Sequence, residues 1–169
     1  MGNYNEALEL DPVQPEVTQT RKYGRTKSGF VINAEQELNN NVGVFGRISW
    51  NDGQNETWAF TEIDHSVNVG MQFKGDLWKR PTDILGAALL INGISQAHKD
   101  YLAAGGYGFI IGDGQLANYG QESIFELYYS AKLFGNFWLS PDYQFIANPA
   151  YNQDRGPVNV VGIRGHFEF

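Results

Sequence analysis

The fold of this chain is decided by residues 30–50, which read FVINAEQELNNNVGVFGRISW. Apolar side chains recur there with a period of two, from Phe30 to Leu38 and again from Val44 to Trp50. A period of two places apolar side chains on one face of a β-strand and polar side chains on the other. The asparagines at 39–41 tolerate left-handed backbone and favour a tight turn. The stretch therefore predicts a β-hairpin with one apolar and one polar face.

The same alternation recurs along the rest of the chain. The predicted strands are residues 30–38, 44–51, 66–74, 85–92, 125–133, 139–147 and 161–169. Successive strands that are joined by tight turns pair antiparallel. The sequence therefore predicts an all-β, antiparallel fold of about seven strands within residues 28–169.

The connections between these strands alternate in length. Residues 39–41 and 134–136 are short turns, and residues 75–83 form a moderately short connection. The long connections are residues 52–64, 95–121 and 148–157. Residues 1–27, with their prolines and basic cluster, are expected to be irregular. Long loops at one end and tight turns at the other are typical of an outer-membrane β-barrel. We therefore interpret residues 1–169 as a single transmembrane β-barrel segment.

Composition excludes several classes of function. Lys and Arg number 12 and Asp and Glu number 19, so the net charge is −7 and a nucleic-acid partner is not expected. The chain has no Cys, which excludes disulfide scaffolds, thiolate metal sites and cysteine nucleophiles. Its longest apolar run, residues 85–91, is far shorter than the roughly 20 residues of a spanning helix. The first residues lack the basic and apolar regions of a secretory signal.

The two faces of the predicted strands indicate two solvents. In a soluble sandwich the apolar face is the core, whereas in an outer-membrane barrel it contacts lipid and the polar face lines a wet lumen. The alternation fits both arrangements, but aromatic residues near the strand ends, such as Trp50 and Phe73, favour a membrane. The candidate pore-lining residues on the polar face are Asn33, Glu35, Arg47, Glu126, Tyr128, Asp142, Gln144, Arg164 and His166.

Catalytic and metal sites are not expected. The carboxylates Glu56, Glu62 and Asp64 sit in one loop, without the fixed pair that a glycosidase needs. The three histidines, His65, His98 and His166, lack the spacing of metal ligands.

Several longer segments resemble the bacterial carbohydrate-selective porins. They are NDG at 51–53, ETWAFTEID at 56–64, NGIS at 92–95, HKDYLAAGG at 98–106, GDG at 112–114, NYG at 118–120, DYQF at 142–145, NPAYN at 148–152 and DRGP at 154–157. The opening MGNYNEA, residues 1–7, fits the same family. These segments stand in the same order as in the family and span nearly the whole chain.

The resemblance implies a porin of about sixteen strands, of which this chain supplies the C-terminal portion as an open, curved half-barrel. It implies passive diffusion of mono- and oligosaccharides, with no enzymatic activity and no cofactor. The implied partners are outer-membrane lipid, small sugars and the barrel-assembly machinery, which reads a terminal aromatic signal matched here by Phe167 and Phe169. The signal peptide and the inward-folding loops that narrow the pore are expected in an N-terminal half outside this chain. The alternative is a soluble β-sandwich module that binds sugars.

Overall fold

The computed structural model describes residues 1–57, 62–108 and 115–169. Across these residues it contains one antiparallel sheet, whose seven strands follow the order of the chain. The strands are β1 Gly29–Asn39, β2 Val42–Asn51, β3 His65–Lys74, β4 Ile84–Gly93, β5 Glu122–Phe134, β6 Phe137–Ala147 and β7 Val158–Phe167. The predicted all-β, antiparallel fold is confirmed. The porin-like segments at 58–61 and 112–114 lie outside the described residues.

The sheet is open. Within the described ranges β1 pairs only with β2, and β7 pairs only with β6. Every residue of β1 is exposed, as are nearly all residues of β7. The prediction of an open sheet rather than a closed barrel is therefore confirmed.

The last strand differs in its bounds from the sequence pattern. β7 runs from Val158 to Phe167 instead of covering residues 161–169. Its register explains both ends, since Val158 pairs with Ile146 and Phe167 pairs with Phe137. Backbone pairing with the neighbouring strand, and not side-chain hydropathy, sets where β7 begins and ends.

The apolar face of the sheet has no covering layer among the described residues. Leu89 in β4 and Phe125 in β5, both near the middle of the sheet, are each 41% exposed. The other large apolar side chains exposed on this face are Phe30, Ile32, Ile48, Trp50, Val67, Val69, Met71, Leu127, Tyr143, Phe145, Val161 and Ile163. A soluble sandwich would pack this face against a second sheet. The soluble alternative is therefore not favoured.

The long connections gather at one end of the sheet. We call the described residues of 1–28, 52–64, 94–121 and 148–157 the loop cap. The hydrophobic cluster of buried residues lies in this cap and not in the sheet. Its members are Tyr4, Ala7, Val17, Ile94, Tyr101, Leu102, Leu116 and Tyr151.

The loop cap contains two α-helices at positions that were expected to be irregular. Helix α1, Tyr4–Leu10, lies within residues 1–27, and helix α2, Gln96–Ala103, lies within residues 95–121. A 3-10 turn, Val17–Thr20, follows α1. These elements correct the expectation of an irregular N-terminal stretch.

Both helices begin at a side-chain cap. The side-chain oxygen of Asn3 accepts a hydrogen bond from the Glu6 N–H at 3.0 Å, and that of Ser95 accepts one from the His98 N–H at 3.1 Å. Helices of this length are marginal on their own, so their burial in the cap must stabilise them. None of the helices in the described ranges has the length and apolar character needed to cross a membrane.

Candidate functional site

The nine predicted pore-lining residues lie on one face of the sheet, which we call the polar face. Asn33 pairs with Arg47 across β1 and β2, and Tyr128 pairs with Asp142 across β5 and β6. Directly paired residues share a face, and so do alternate residues of one strand. The polar face therefore holds Asn33, Glu35, Arg47, Glu126, Tyr128, Asp142, Gln144, Arg164 and His166.

Three of these residues are joined on β1 and β2. The Nε of Arg47 donates to the Oδ1 of Asn33 at 3.3 Å, and the Nδ2 of Asn33 donates to Glu35 at 3.4 Å. All three side chains are exposed on the polar face. They offer donors and acceptors of both charges to whatever fills this side of the sheet.

The remaining six residues form a second group on β5, β6 and β7. Glu126 is paired with Gln144 and interacts electrostatically with Asp142 and Arg164. Arg164 is thus a positive charge close to the Glu126 carboxylate. Because this group and the Arg47 group are on opposite sides of β3 and β4, the sheet brings the nine residues into two clusters rather than one.

His166 sits at the turn end of the second group. Its ring lies 5.7 Å from that of Trp138, and the Lys132 ammonium lies 4.7 Å from the same indole. Its Nε2 also lies 3.3 Å from a Glu168 carboxylate oxygen. These aromatic and charged contacts continue the mixed polarity of the face to its end.

The structure adds contacts on the polar face that sequence reasoning missed. Gln72 of β3 donates through Nε2 to the Tyr128 hydroxyl at 2.6 Å, which spans the whole width of β4. Lys74 lies 3.4 Å from Glu37 across the turn end of the sheet. The alternation in the sequence placed these side chains on the polar side of their strands. Only the strand register shows which of them contact each other.

A cavity of about 400 Å³ opens on this side of the sheet near its tight turns. It is lined by Glu35, Glu37, Phe45, Gln72 and Lys74, among others. The volume falls within the range of small-molecule sites. It combines one aromatic ring with carboxylate, amide and ammonium groups.

An apolar band interrupts the polar face. Leu90, Ile124, Ile146 and Val158 lie in one row across β4 to β7, because each pairs with the next. On the outer half of the same row stand Arg47 and Asn68. Along this row the face is therefore polar on β2 and β3 and apolar from β4 to β7. The alternation in the sequence did not predict this change.

The loop cap covers the polar face at its upper end. Glu122, on the polar face of β5, accepts hydrogen bonds from the Asn92 side chain at 3.2 Å and from the backbone N–H of Ala150 at 3.0 Å. Ser66 and Asn92 are buried on this face. The connections of this chain thus fold towards the side that was expected to be the lumen.

A buried polar network ties the cap to the sheet. Asp64 is 2% exposed, and its Oδ2 accepts from the Ser95 N–H at 2.9 Å and contacts the His98 Nδ1 at 3.0 Å. The Lys27 ammonium lies 3.3 Å from its other oxygen. Burial alone raises the pKa of Asp64, but the hydrogen bonds from His98 and Ser95 and the nearby charges outweigh it and hold the pKa below its ordinary value. The ring of Tyr4 stacks on His98 at 4.3 Å.

Glu56, another of the three acidic residues of this connection that were weighed for catalysis, also has a structural partner. Arg21 donates to both oxygens of Glu56 at 2.7 and 2.9 Å, and this hydrogen-bonded guanidinium holds the pKa of Glu56 below its ordinary value. The backbone N–H of Gly2 donates to the same carboxylate. Both Asp64 and Glu56 therefore serve to hold the cap together. In the described ranges, no group of three or more His, Asp or Glu side chains is placed to hold a metal ion.

Comparison with known proteins agrees with this architecture. The model of the family described as "Carbohydrate-selective porin, OprB family" matches residues 2–169. The structure titled "High pH structure of Pseudomonas putida OprB" superposes with a TM-score of 0.63 at 20% sequence identity. The match covers 82% of this chain and 34% of that chain, so this chain spans about a third of the length of that porin. A comparison with curated proteins found no match.

Proposed function

This chain belongs to the carbohydrate-selective porin, OprB family, and from that membership we propose that it forms part of the wall of an outer-membrane channel for sugars. Mono- and oligosaccharides would move through the channel by passive diffusion. The channel needs no covalent chemistry and no cofactor, because a concentration gradient drives the flow.

The opposite character of the two faces of the sheet carries this proposal. Side chains such as Leu89 and Phe125 leave a broad apolar surface exposed, which is costly in water and favourable against acyl chains. The other face presents Arg47, Arg164 and Glu126 among amides and hydroxyls, as a water-filled lumen requires. Outer-membrane lipid is therefore the partner proposed for the apolar face.

The open edges of β1 and β7 support a place within a larger barrel. In lipid, every backbone N–H and C=O needs a partner, and a sheet edge leaves them without one. We propose that further strands complete a barrel of about sixteen, and that this chain corresponds to its C-terminal portion. The match covers 34% of the Pseudomonas putida chain, which leaves room in that chain for further strands.

The polar face suits neutral sugars. Sugars present hydroxyl groups, which planar amides, carboxylates and guanidinium groups can bind, without carrying a charge of their own. On this face Arg47 is paired with Asn33, and Arg164 lies close enough to Glu126 to interact with its carboxylate. The mixture of signs avoids a strong net field, so the lumen neither repels nor traps a neutral solute.

The C-terminal aromatics are the proposed signal for the barrel-assembly machinery. Phe167 ends β7 opposite Phe137, and its ring lies 5.5 Å from that of Phe169. Phe169 is fully exposed beyond the strand. A recognition factor can therefore reach it.

Transport is tested by swelling of liposomes that contain the porin purified from outer membranes. We expect swelling in isotonic glucose and a slower rate with larger saccharides. The protein should fractionate with outer membranes and change its gel mobility on heating in detergent. A protein that is found in the soluble fraction, or liposomes that admit ions but not glucose, would overturn the proposal.

A further inference from the structure

Two aromatic rings of the polar face rest on glycines of the neighbouring strand. The ring of Phe45 in β2 leans over Gly70 in β3, and the ring of Tyr128 in β5 leans over Gly86 in β4. A Cβ at either glycine would overlap the ring. Neither glycine has a positive φ, so the rings and not the backbone conformation account for the missing side chains.

This contact brings each ring down over the neighbouring strand. A side chain normally stands roughly perpendicular to its sheet. A ring that leans over a glycine contacts the wall with part of its surface and leaves the rest open on the polar face. Both Phe45 and Tyr128 are only half-buried. Each thus presents an aromatic surface to a solute that passes along the polar face.

The two seats lie side by side. Gly70 pairs with Ala88, and Gly86 pairs with Gln72, so the two glycines are diagonal neighbours on β3 and β4. Diagonal positions in an antiparallel pair lie roughly 7–8 Å apart. Two rings at about this separation suit two successive units of a saccharide chain better than one isolated sugar.

Polar groups for hydroxyls surround the rings. The cavity of about 400 Å³ beside Phe45 is lined by Glu35, Glu37, Gln72 and Lys74. Gln72 lines this cavity and also donates to the Tyr128 hydroxyl at 2.6 Å, which fixes the second ring. One amide therefore links the two halves of the arrangement.

We propose that Phe45 and Tyr128, seated on Gly70 and Gly86, form an oligosaccharide-binding subsite on the channel wall near the tight turns. The apolar face of each sugar unit stacks on a ring, and its hydroxyls bind the carboxylates and the amide of the cavity. This inference rests on the proposed channel function and adds a location and a preference for linked sugars.

The test is the block of ion current by saccharides in planar bilayers that contain the porin purified from outer membranes. Wild type should bind maltotriose more tightly than glucose. Phe45→Leu and Tyr128→Leu should each weaken maltotriose binding about five- to tenfold, measured as block relative to the open-channel current of the same variant. The matched controls are Phe125→Leu and Tyr143→Leu on the apolar face, which should bind maltotriose as wild type does.

The outcomes separate a binding site from a packing role. If the rings only fill the space above the glycines, Phe45→Leu and Tyr128→Leu should lower the temperature of heat modification and leave maltotriose binding unchanged. That result would overturn the subsite. If both variants fail to fold, Gln72→Leu decides. This variant keeps both rings, and it should weaken binding about threefold; unchanged binding would overturn the subsite. Wild-type liposomes that swell in glucose show that a failed subsite leaves the channel proposal standing.

Discussion

Asp64 joins three segments of the chain at the point where the loop cap meets the sheet. Its carboxylate contacts α2 through Ser95 and His98 and the N-terminal segment through Lys27, while its own backbone leads directly into β3. A buried carboxylate in such a network is costly to leave unpaired and stabilising when fully bonded.

Replacing Asp64 by Asn should loosen the loop cap and leave the sheet intact. Asn keeps the shape but loses the charge that binds His98 and Lys27, so we expect a loss of about 1–3 kcal/mol in the local stability of the cap. Hydrogen exchange of the α2 amides measures this loss. Asp76→Asn, an exposed carboxylate at the opposite end, is the control. Equal protection of α2 in both variants would contradict the assignment.

Asp64 also makes the stability of the loop cap sensitive to acid. Because the pKa of Asp64 is lower in the folded protein than its ordinary value of 3.8, its contribution to stability is complete above about pH 4. It is lost as the pH falls through the folded pKa. Protection of α2, corrected for intrinsic exchange, should therefore be flat from neutral pH to about pH 4 and then decline. In Asp64→Asn the decline that comes from protonation of Asp64 should be missing. A pH dependence of α2 protection equal to that of wild type would contradict this role of Asp64.

At the scale of elements, the strands could be predicted and the cap helices could not. The strands were predictable because apolar and polar side chains alternate over eight or more residues, as in residues 66–74. Helices α1 and α2 span seven and eight residues, too short for a clear helical period. They depend on contacts between distant segments, such as Tyr4 stacked on His98. The sequence offered only the cap residues Asn3 and Ser95 as signals, and similar residues occur in many loops.

Ser95 has two roles in its element, and its removal should be felt locally. Its hydroxyl oxygen caps α2, and the hydroxyl donates to the Gly53 carbonyl at 2.6 Å. Ser95→Ala should cost the cap about 1–2 kcal/mol. Ser95→Thr keeps the hydroxyl and should retain most of the stability. Limited proteolysis within residues 94–108 distinguishes the two variants, and equal cleavage rates would refute this role.

At the scale of the whole molecule, the alternation predicted the separation of the two faces, and the resemblance to the porin family implied the open sheet. Which polar residues meet was not predictable, since contacts such as Gln72 with Tyr128 depend on the register of three strands. The apolar band that includes Leu90 and Ile124 was also missed, because a few apolar residues on the polar parity look like noise in a sequence.

Neighbouring residues of β5 test which face meets lipid. Phe125→Lys places a charge on the apolar face, where a lysine in the middle of the membrane costs about 2–4 kcal/mol. Ile124→Lys places the same charge on the polar face of the same strand. We expect Phe125→Lys to reduce the amount of folded porin in outer membranes severalfold and Ile124→Lys to be tolerated. The reverse order would assign the faces the other way round.

The directions of the two edge strands limit how many further strands can close the sheet. Of the strands in the described residues, β1 and β7 both run from the loop cap towards the tight turns, since an odd number of antiparallel strands begins and ends in one direction. Two copies facing the same side of a bilayer would therefore meet edge to edge as parallel pairs, unlike the antiparallel pairs within this sheet and within outer-membrane barrels. An antiparallel neighbour at both edges requires an odd number of inserted strands. A closed antiparallel barrel therefore needs strands with a different sequence between β7 and β1. A ring of identical copies in the same orientation would not give antiparallel pairs at every edge.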